Sequence, residues 1–211
     1  MPCDSGIPDY RGPNGLWRRD PEAEKLVTYE YYMGDPEIRR RSWQMRRKNR
    51  TLRAEPNAAH RAVAELERAG VPVRVITQNV DGLHQLAGIP ARKVLELHGT
   101  ARSVVCTKCH ARGPMEDALA RVEAGEDDPP CLECGGILKS ATVMFGERLI
   151  RIPRGVHEQH GVRGVAGKTV LGGGPQLLTA SAMCRAAWAG VRCVVSTTSA
   201  SPCSHVRAAS A

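Results

Sequence analysis

The apolar positions of the chain fall into short runs that alternate with polar loops. Val73-Arg74-Val75-Ile76 is a compact β-branched run, and it gives way at Thr77-Gln78-Asn79 to polar residues, which predicts a strand ending in a loop. A second run, Val94-Leu95-Glu96-Leu97, predicts a strand that delivers His98 and Gly99. Upstream, Asn57 stands where a helix N-cap is wanted, with Ala59, Val63 and Leu66 at helical spacing and Gly70 as the stop. Asp20-Pro21-Glu22 and Asp35-Pro36-Glu37 each combine an N-cap acid, a proline at the first helical position and a glutamate in the first turn, and predict two more helices. Ile137 to Met144 reads as a strand that runs into Phe145-Gly146-Glu147. Farther on, Leu177 to Ala189 reads as a helix stopped by Gly190, and Val191 to Val195 as a strand.

Helix, short turn and apolar strand ending in a polar loop is one αβ unit of a parallel sheet, so the class is α/β. Such sheets bind ligands at the carboxyl ends of their strands. That rule singles out Gln78, Asn79, Asp81 and His84 after the first strand, and His98 after the second.

At 211 residues, one ordinary domain with a smaller insertion fits better than two full domains. The net charge of +8 looks like a nucleic-acid signature until it is divided along the chain. Residues 1–149 carry 23 Lys+Arg against 21 Asp+Glu, whereas 150–211 carry 7 against 1. Most of the excess therefore comes from missing acids in the tail. Aromatics make up 4% of the chain, too few for a base-stacking platform, so nucleic acid is an unlikely partner. The basic run Arg39, Arg40, Arg41, Arg46, Arg47, Lys48, Arg50 and Arg53 is expected to be a solvated helix face. No apolar run approaches the roughly 18 residues of a membrane span, and a cytoplasmic protein is expected.

Cysteine usage adds a second theme. Cys106-x-x-Cys109 and Cys131-x-x-Cys134 are separated by 21 residues, close to the spacing of structural zinc ribbons. Each pair can present two thiolates from one tight turn, and four thiolates close a tetrahedral shell around Zn²⁺. A closed shell has no open position, so the metal is expected to be structural. Cys184, Cys193 and Cys203 have no ligand spacing.

Together these segments resemble the sirtuins, the NAD-dependent protein lysine deacylases. The matching stretches are Gly6-Ile7-Pro8-Asp9-Tyr10-Arg11-Gly12, Thr77-Gln78-Asn79-Val80-Asp81-Gly82-Leu83-His84, Leu97-His98-Gly99, the two cysteine pairs, and Val143-Met144-Phe145-Gly146-Glu147. They follow the family's order over about residues 5–149. The resemblance implies an α/β fold with a Rossmann-like parallel sheet, incomplete here, and a small zinc-ribbon domain inserted in it. The Rossmann-like, NAD-binding part would be 1–100 with 137–149, the zinc domain 101–136, and 150–211 an atypical tail. It also implies His98 as general base, acting through the ribose next to nicotinamide after the acyl oxygen has displaced nicotinamide. The products would be deacylated lysine, nicotinamide and O-acyl-ADP-ribose. Asn79 and Asp81 would hold the ribose and carboxamide of NAD, Gln78 the ribose hydroxyls, and Tyr10 and Arg11 the cofactor from a loop. Val143, Phe145 and Gly146 would flank an acylated-lysine peptide pairing as an added strand. His84 is expected to be a structural hydrogen-bonder. Two further readings share these residues: a zinc-stabilised binding module without catalysis, and a protein ADP-ribosyltransferase.

Two family elements have no counterpart in the residues. Only Met1-Pro2-Cys3-Asp4 precedes Ser5, where the family places an apolar strand and a Gly-Ala-Gly-x-Ser turn against the NAD pyrophosphate; weak nicotinamide release is therefore expected. After Leu149 the family's Gly-Thr-Ser strand end is missing, and one acid remains in 62 residues. That break suggests the hypothesis of a reading-frame shift just after Glu147. Translating the gene in its two other frames should reveal a Gly-Thr-Ser-bearing strand, and finding none in either frame rejects the explanation.

Overall fold

The computed structural model describes residues 3–7, 20–148 and 192–196, the last as backbone only. The expected helix 177–189 and residues 8–12 lie outside the described residues.

The first expected helix divides in two. Asp20 caps a 3-10 helix, Pro21–Val27, by accepting from the Glu22 N–H, and α1 (Tyr29–Gly34) follows after a break at Thr28. Thr28 is extended because it bridges to Phe145, a tertiary contact that overrides the local helical signal. Asp35 caps α2 (Pro36–Lys48) as expected. Asn57 caps α3 (Ala58–Arg68) with a capping box completed by His60. Its buried stripe, however, is His60, Val63 and Ala64, and Leu66 stays exposed. The helix is turned by about one position from the expected face, because an imidazole is packed inward.

β1 (Val73–Thr77) is followed by the single-turn α4 (Leu83–Leu86), then β2 (Val94–Glu96). β2 hands over directly to β3 (Gly99–Cys106), and β4 (Arg112–Pro114), α5 (Met115–Glu123), β5 (Leu138–Thr142) and β6 (Arg192–Ser196) complete the described elements. Two three-stranded sheets result. One is parallel, in the order β2-β1-β6, with Thr77 opposite Glu96. The other is antiparallel, in the order β4-β3-β5. The strand expected at 137 is thus hydrogen-bonded to β3 in the cysteine-bearing sheet and not to the parallel sheet, so residue 137 does not divide one sheet from the other. β6 falls one residue later than the expected strand.

Each sheet has its own core. Val63, Ala64, Val73, Val75, Ile89 and Val94 pack α3 onto the parallel sheet. Trp43 of α2 packs with Val104, Met115, Ala118, Val122 and Leu138 in the other. Each buried side chain of this size contributes on the order of 2 kcal/mol. α2 is also held by polar contacts, which corrects the expected solvated face at one point. Arg39 is buried, its Nε donates to Asp128 Oδ2 at 2.7 Å, and its Nη1 donates to the Tyr32 and Met33 carbonyls. Arg40, Arg41, Arg47, Lys48, Arg50 and Arg53 remain exposed. Among the described residues no helix is long and apolar enough to cross a membrane.

Helices α3 and α4 meet through two fully buried imidazoles, His60 and His84, with ring centroids 4.8 Å apart and edge to face. Neither ring nitrogen of His84 has a hydrogen-bond partner among the described residues, so it is a packing group here and not the expected hydrogen-bonder. Burial pushes the pKa of each down to about 4. Because the folded values lie below the unfolded value of about 6.5, both rings stabilise the fold fully above pH 6.5. That contribution is lost as pH falls toward about 4. Unfolding free energies from urea titrations should therefore decline between pH 6.5 and 4, by on the order of 3 kcal/mol for each imidazole. A His84→Phe variant should flatten the decline; an unchanged slope in that variant contradicts the assignment.

Candidate functional site

The residues singled out between Gln78 and His98 come together where β1 and β2 end side by side. Backbone contact continues past the strands: the Leu97 N–H donates to Thr77 O at 2.8 Å in the parallel register, and the Ala101 N–H of β3 donates to Val80 O at 2.7 Å. Between these two bonds sits His98, half-buried, with Nδ1 3.2 Å from the Gln78 carbonyl oxygen. A carbonyl only accepts, so Nδ1 carries the proton and Nε2 keeps its lone pair. Burial lowers the His98 pKa below the ordinary imidazole value, and the Gln78 carbonyl opposes this. The ring is consequently neutral at pH 7, with a basic nitrogen available.

Asn79 and Asp81 are both buried on the same loop. The Thr77 hydroxyl accepts from the Asn79 N–H at 3.0 Å, and Asp81 Oδ1 accepts from the Leu83 N–H at 3.0 Å, closing the turn that leads into α4. Asp81 Oδ2 is buried with no hydrogen-bond partner among the described residues, an acceptor suited to a ligand N–H. Sequence reasoning missed Arg102. Its Nε donates to the Asp81 carbonyl at 2.8 Å, so a residue of β3 ties down the loop after β1. No local motif announces it, because the contact depends on the approach of β3.

Gly99 decides how β3 approaches. It has φ +72° and pairs with Thr142, and a Cβ built on it lies 2.0 Å from the Ala141 carbonyl oxygen. No side chain fits there. The chain leaves the parallel sheet at His98 and enters the antiparallel one at Gly99 in a single step.

Of the other expected site residues, Val143 is half-buried and donates its N–H to the His98 carbonyl at 2.8 Å. Phe145 and Gly146 are exposed at the tip of a turn closed by the Glu147 N–H on Met144 O. Gly146 has φ +79°, as the third position of a type II turn requires. Tyr10 and Arg11 lie outside the described residues.

The four cysteines form a separate cluster at the far end of β3. Their sulfurs all lie within 4.8 Å of one another, with Cys106–Cys134 at 3.5 Å and Cys109–Cys131 at 3.6 Å. Metal–sulfur bonds of about 2.3 Å give tetrahedral edges of about 3.8 Å, so the set matches a tetrathiolate metal site. Burial raises the Cys106 thiol pKa, but hydrogen bonds from the Cys109 and Lys108 N–H groups and from the neighbouring thiols outweigh it and hold it below the ordinary thiol value, while the Cys109 thiol beside it is pushed up.

A model of the Sir2 family matches residues 1–164, beyond residue 149 where the motif-by-motif resemblance stops. Over 146 residues the chain is 86% identical to the NAD-dependent protein deacetylase 2 of Streptomyces coelicolor, covering 69% of this chain and 61% of that protein. The chain thus spans about three fifths of the length of the curated relative it matches. A Sir2 homologue mutant in complex with ADP ribose superposes with a TM-score of 0.61 at 37% identity, covering 76% of this chain and 61% of the other. A Sir2 bound to acetylated peptide gives a TM-score of 0.57 at 30% identity, covering 74% and 58%.

Two glycines in this region should respond very differently to a methyl group. Gly99→Ala should lower stability by at least about 3 kcal/mol in urea denaturation, because backbone must move. Gly146→Ala, whose Cβ meets nothing within 4 Å, should cost only about 1 kcal/mol of backbone strain. Equal costs contradict the close approach at Gly99.

Proposed function

The chain belongs to the Sir2 family, and we propose that it is an NAD-dependent protein lysine deacylase, with acetyl-lysine protein or peptide as substrate and His98 as general base. The observation that carries this reading is the His98 ring. It is held by the Gln78 carbonyl with Nε2 deprotonated, on the same strand-end cluster as Asn79 and Asp81. NAD, when bound, supplies the activated glycosidic carbon that accepts the acyl group. His98 would take a proton at Nε2, and its orientation is fixed from the other side of the ring. Asp81 Oδ2 fits a carboxamide N–H, with Asn79 and Gln78 as further polar contacts to the nicotinamide ribose. Tyr10 and Arg11 are proposed as additional cofactor contacts, and Val143, Phe145 and Gly146 as the edge along which the acyl peptide pairs.

Zinc is the ion we assign to the four thiolates, in a structural role. The sulfur set is closed, and it lies at the opposite end of β3 from His98, so it offers no position for chemistry. Thiolate ligands need a reducing compartment, which supports a cytoplasmic protein.

The test is nicotinamide release from NAD that depends on an acetyl-lysine peptide. His98→Ala should reduce it by about 100-fold or more. In the parent protein kcat/KM should be level from pH 8 down to about 6.5 and fall below that, because the lowered His98 pKa places loss of the neutral base on the acid side. Peptide-independent release, or transfer of labelled ADP-ribose to protein as the main product, would overturn the assignment. Atomic emission should return one zinc per chain, and Cys131→Ser should abolish it; another metal at full occupancy rejects zinc.

A further inference from the structure

We propose that the ion pair between buried Lys139 and half-buried Glu147 is a positioning device that locks the 142–147 turn onto His98 and onto the segment before α1. On the deacylase reading above, it presets the edge that receives the acyl-lysine peptide.

The geometry is closed on every side. Lys139 lies on β5 and is buried. An ammonium has three N–H donors, and all three are used: Ser140 O at 3.1 Å, Thr142 O at 2.8 Å and Glu147 Oε2 at 3.0 Å. Two of these acceptors are carbonyls at the end of β5, so the cation holds the strand end where the chain leaves the sheet. The same Glu147 oxygen accepts the Met144 N–H at 2.8 Å, while the Glu147 N–H returns to Met144 O at 3.0 Å. The turn is therefore clamped by its own fourth residue, and that residue is anchored to the strand.

What the clamp holds explains its value. The Val143 N–H reaches the His98 carbonyl at 2.8 Å, the Phe145 N–H reaches Val27 O at 2.9 Å, and Phe145 O accepts from the Tyr29 N–H at 2.8 Å. One short segment thus joins the general base, the antiparallel sheet and the chain ahead of α1. Its underside, Met144 and Lys139, is buried, and its tip, Phe145 and Gly146, faces solvent. A buried ion pair adds little net stability over an apolar pair of similar size, whereas removing one partner leaves a desolvated charge. Its use here is to select one conformation for a turn whose tip must be exposed, and a preset edge reduces the ordering cost of binding.

The experiment compares the full chain with Lys139→Met, Glu147→Gln and Lys139→Arg by residue-resolved hydrogen exchange and steady-state kinetics. In Lys139→Met and Glu147→Gln, protection of the Val143 and Phe145 amides should fall by about tenfold or more. Amides of Val104 and Val105 in β3 should keep theirs. Lys139→Arg should restore protection to within about threefold, because a guanidinium can still pair with Glu147. Peptide KM should rise by about tenfold in the first two variants with NAD KM unchanged. Unaltered protection at Val143, or a loss spread equally over β3, overturns the proposal. If Lys139→Met does not fold, Glu147→Gln and Lys139→Arg decide it by the same criteria. A parent chain that neither binds acetyl-lysine peptide nor releases nicotinamide defeats the deacylase reading instead, and the exchange data still judge the clamp.

Discussion

The site depends on one backbone step, the passage from His98 to Gly99. Before it the chain is hydrogen-bonded as the neighbour of β1; after it the chain is the centre of an antiparallel sheet. The Ala141 carbonyl occupies the space where a side chain on Gly99 would lie. A residue without Cβ lets the two sheets approach closely enough for two contacts to converge on one histidine and a third to hold the loop opposite it. Its ring is held by Gln78, its carbonyl by Val143, and the loop opposite it by Arg102. The general base proposed at His98 must be fixed in tautomer and direction to work, and the packing of sheets on either side of a single peptide unit fixes both.

The same arrangement separates two kinds of chemistry along one strand. β3 begins one residue after His98 and ends at Cys106, so the cysteine cluster lies at the far end of the strand whose near end adjoins the proposed base. α2 reinforces that lobe from outside. Trp43 enters its core, and Arg39 reaches Asp128, which follows α5 and lies shortly before the second cysteine pair. A run of arginines that looks uniform along the sequence is therefore functionally mixed: one member is a buried tie between lobes, while several others stay exposed. Solvated arginines contribute little individually, but a guanidinium with three protein acceptors cannot be removed without leaving those acceptors unmet.

Buried and half-buried polar groups recur at joints between segments. Lys139, Glu147 and Arg102 tie strands to the loops and turn beside them, and His60 and His84 join α3 to α4. Apolar contacts are non-directional and tolerate sliding, whereas an ammonium with three acceptors or an imidazole against an imidazole accepts few arrangements. Conformational selection at the joints, with bulk stability supplied by Val63, Val73, Val75 and Ile89 on one side and Trp43, Val104 and Met115 on the other, is a coherent division of labour.

What the chain declared by itself were features set by near neighbours. Period-two and period-3.6 apolar patterns located β1, β2 and α3; Asp35 and Asn57 marked helix starts because capping is local. The two Cys-x-x-Cys knuckles announced a tetrathiolate cluster because four sulfurs on two tight turns have few other uses. The order of the motifs pointed to the family before any coordinates. Tertiary structure alone decided the rest. It broke the first helix at Thr28 in favour of the bridge to Phe145, and turned α3 so that His60 and not Leu66 faces inward. It also moved Leu138–Thr142 into the antiparallel sheet and made His84 a packing group. It recruited Arg102 and Lys139, which no motif contains. Except at Lys139, whose acceptors lie within eight residues, the deciding partner lies far away in sequence, and the free energy of one long-range hydrogen bond or buried ring exceeds the fraction of a kilocalorie by which local propensity distinguishes the alternatives.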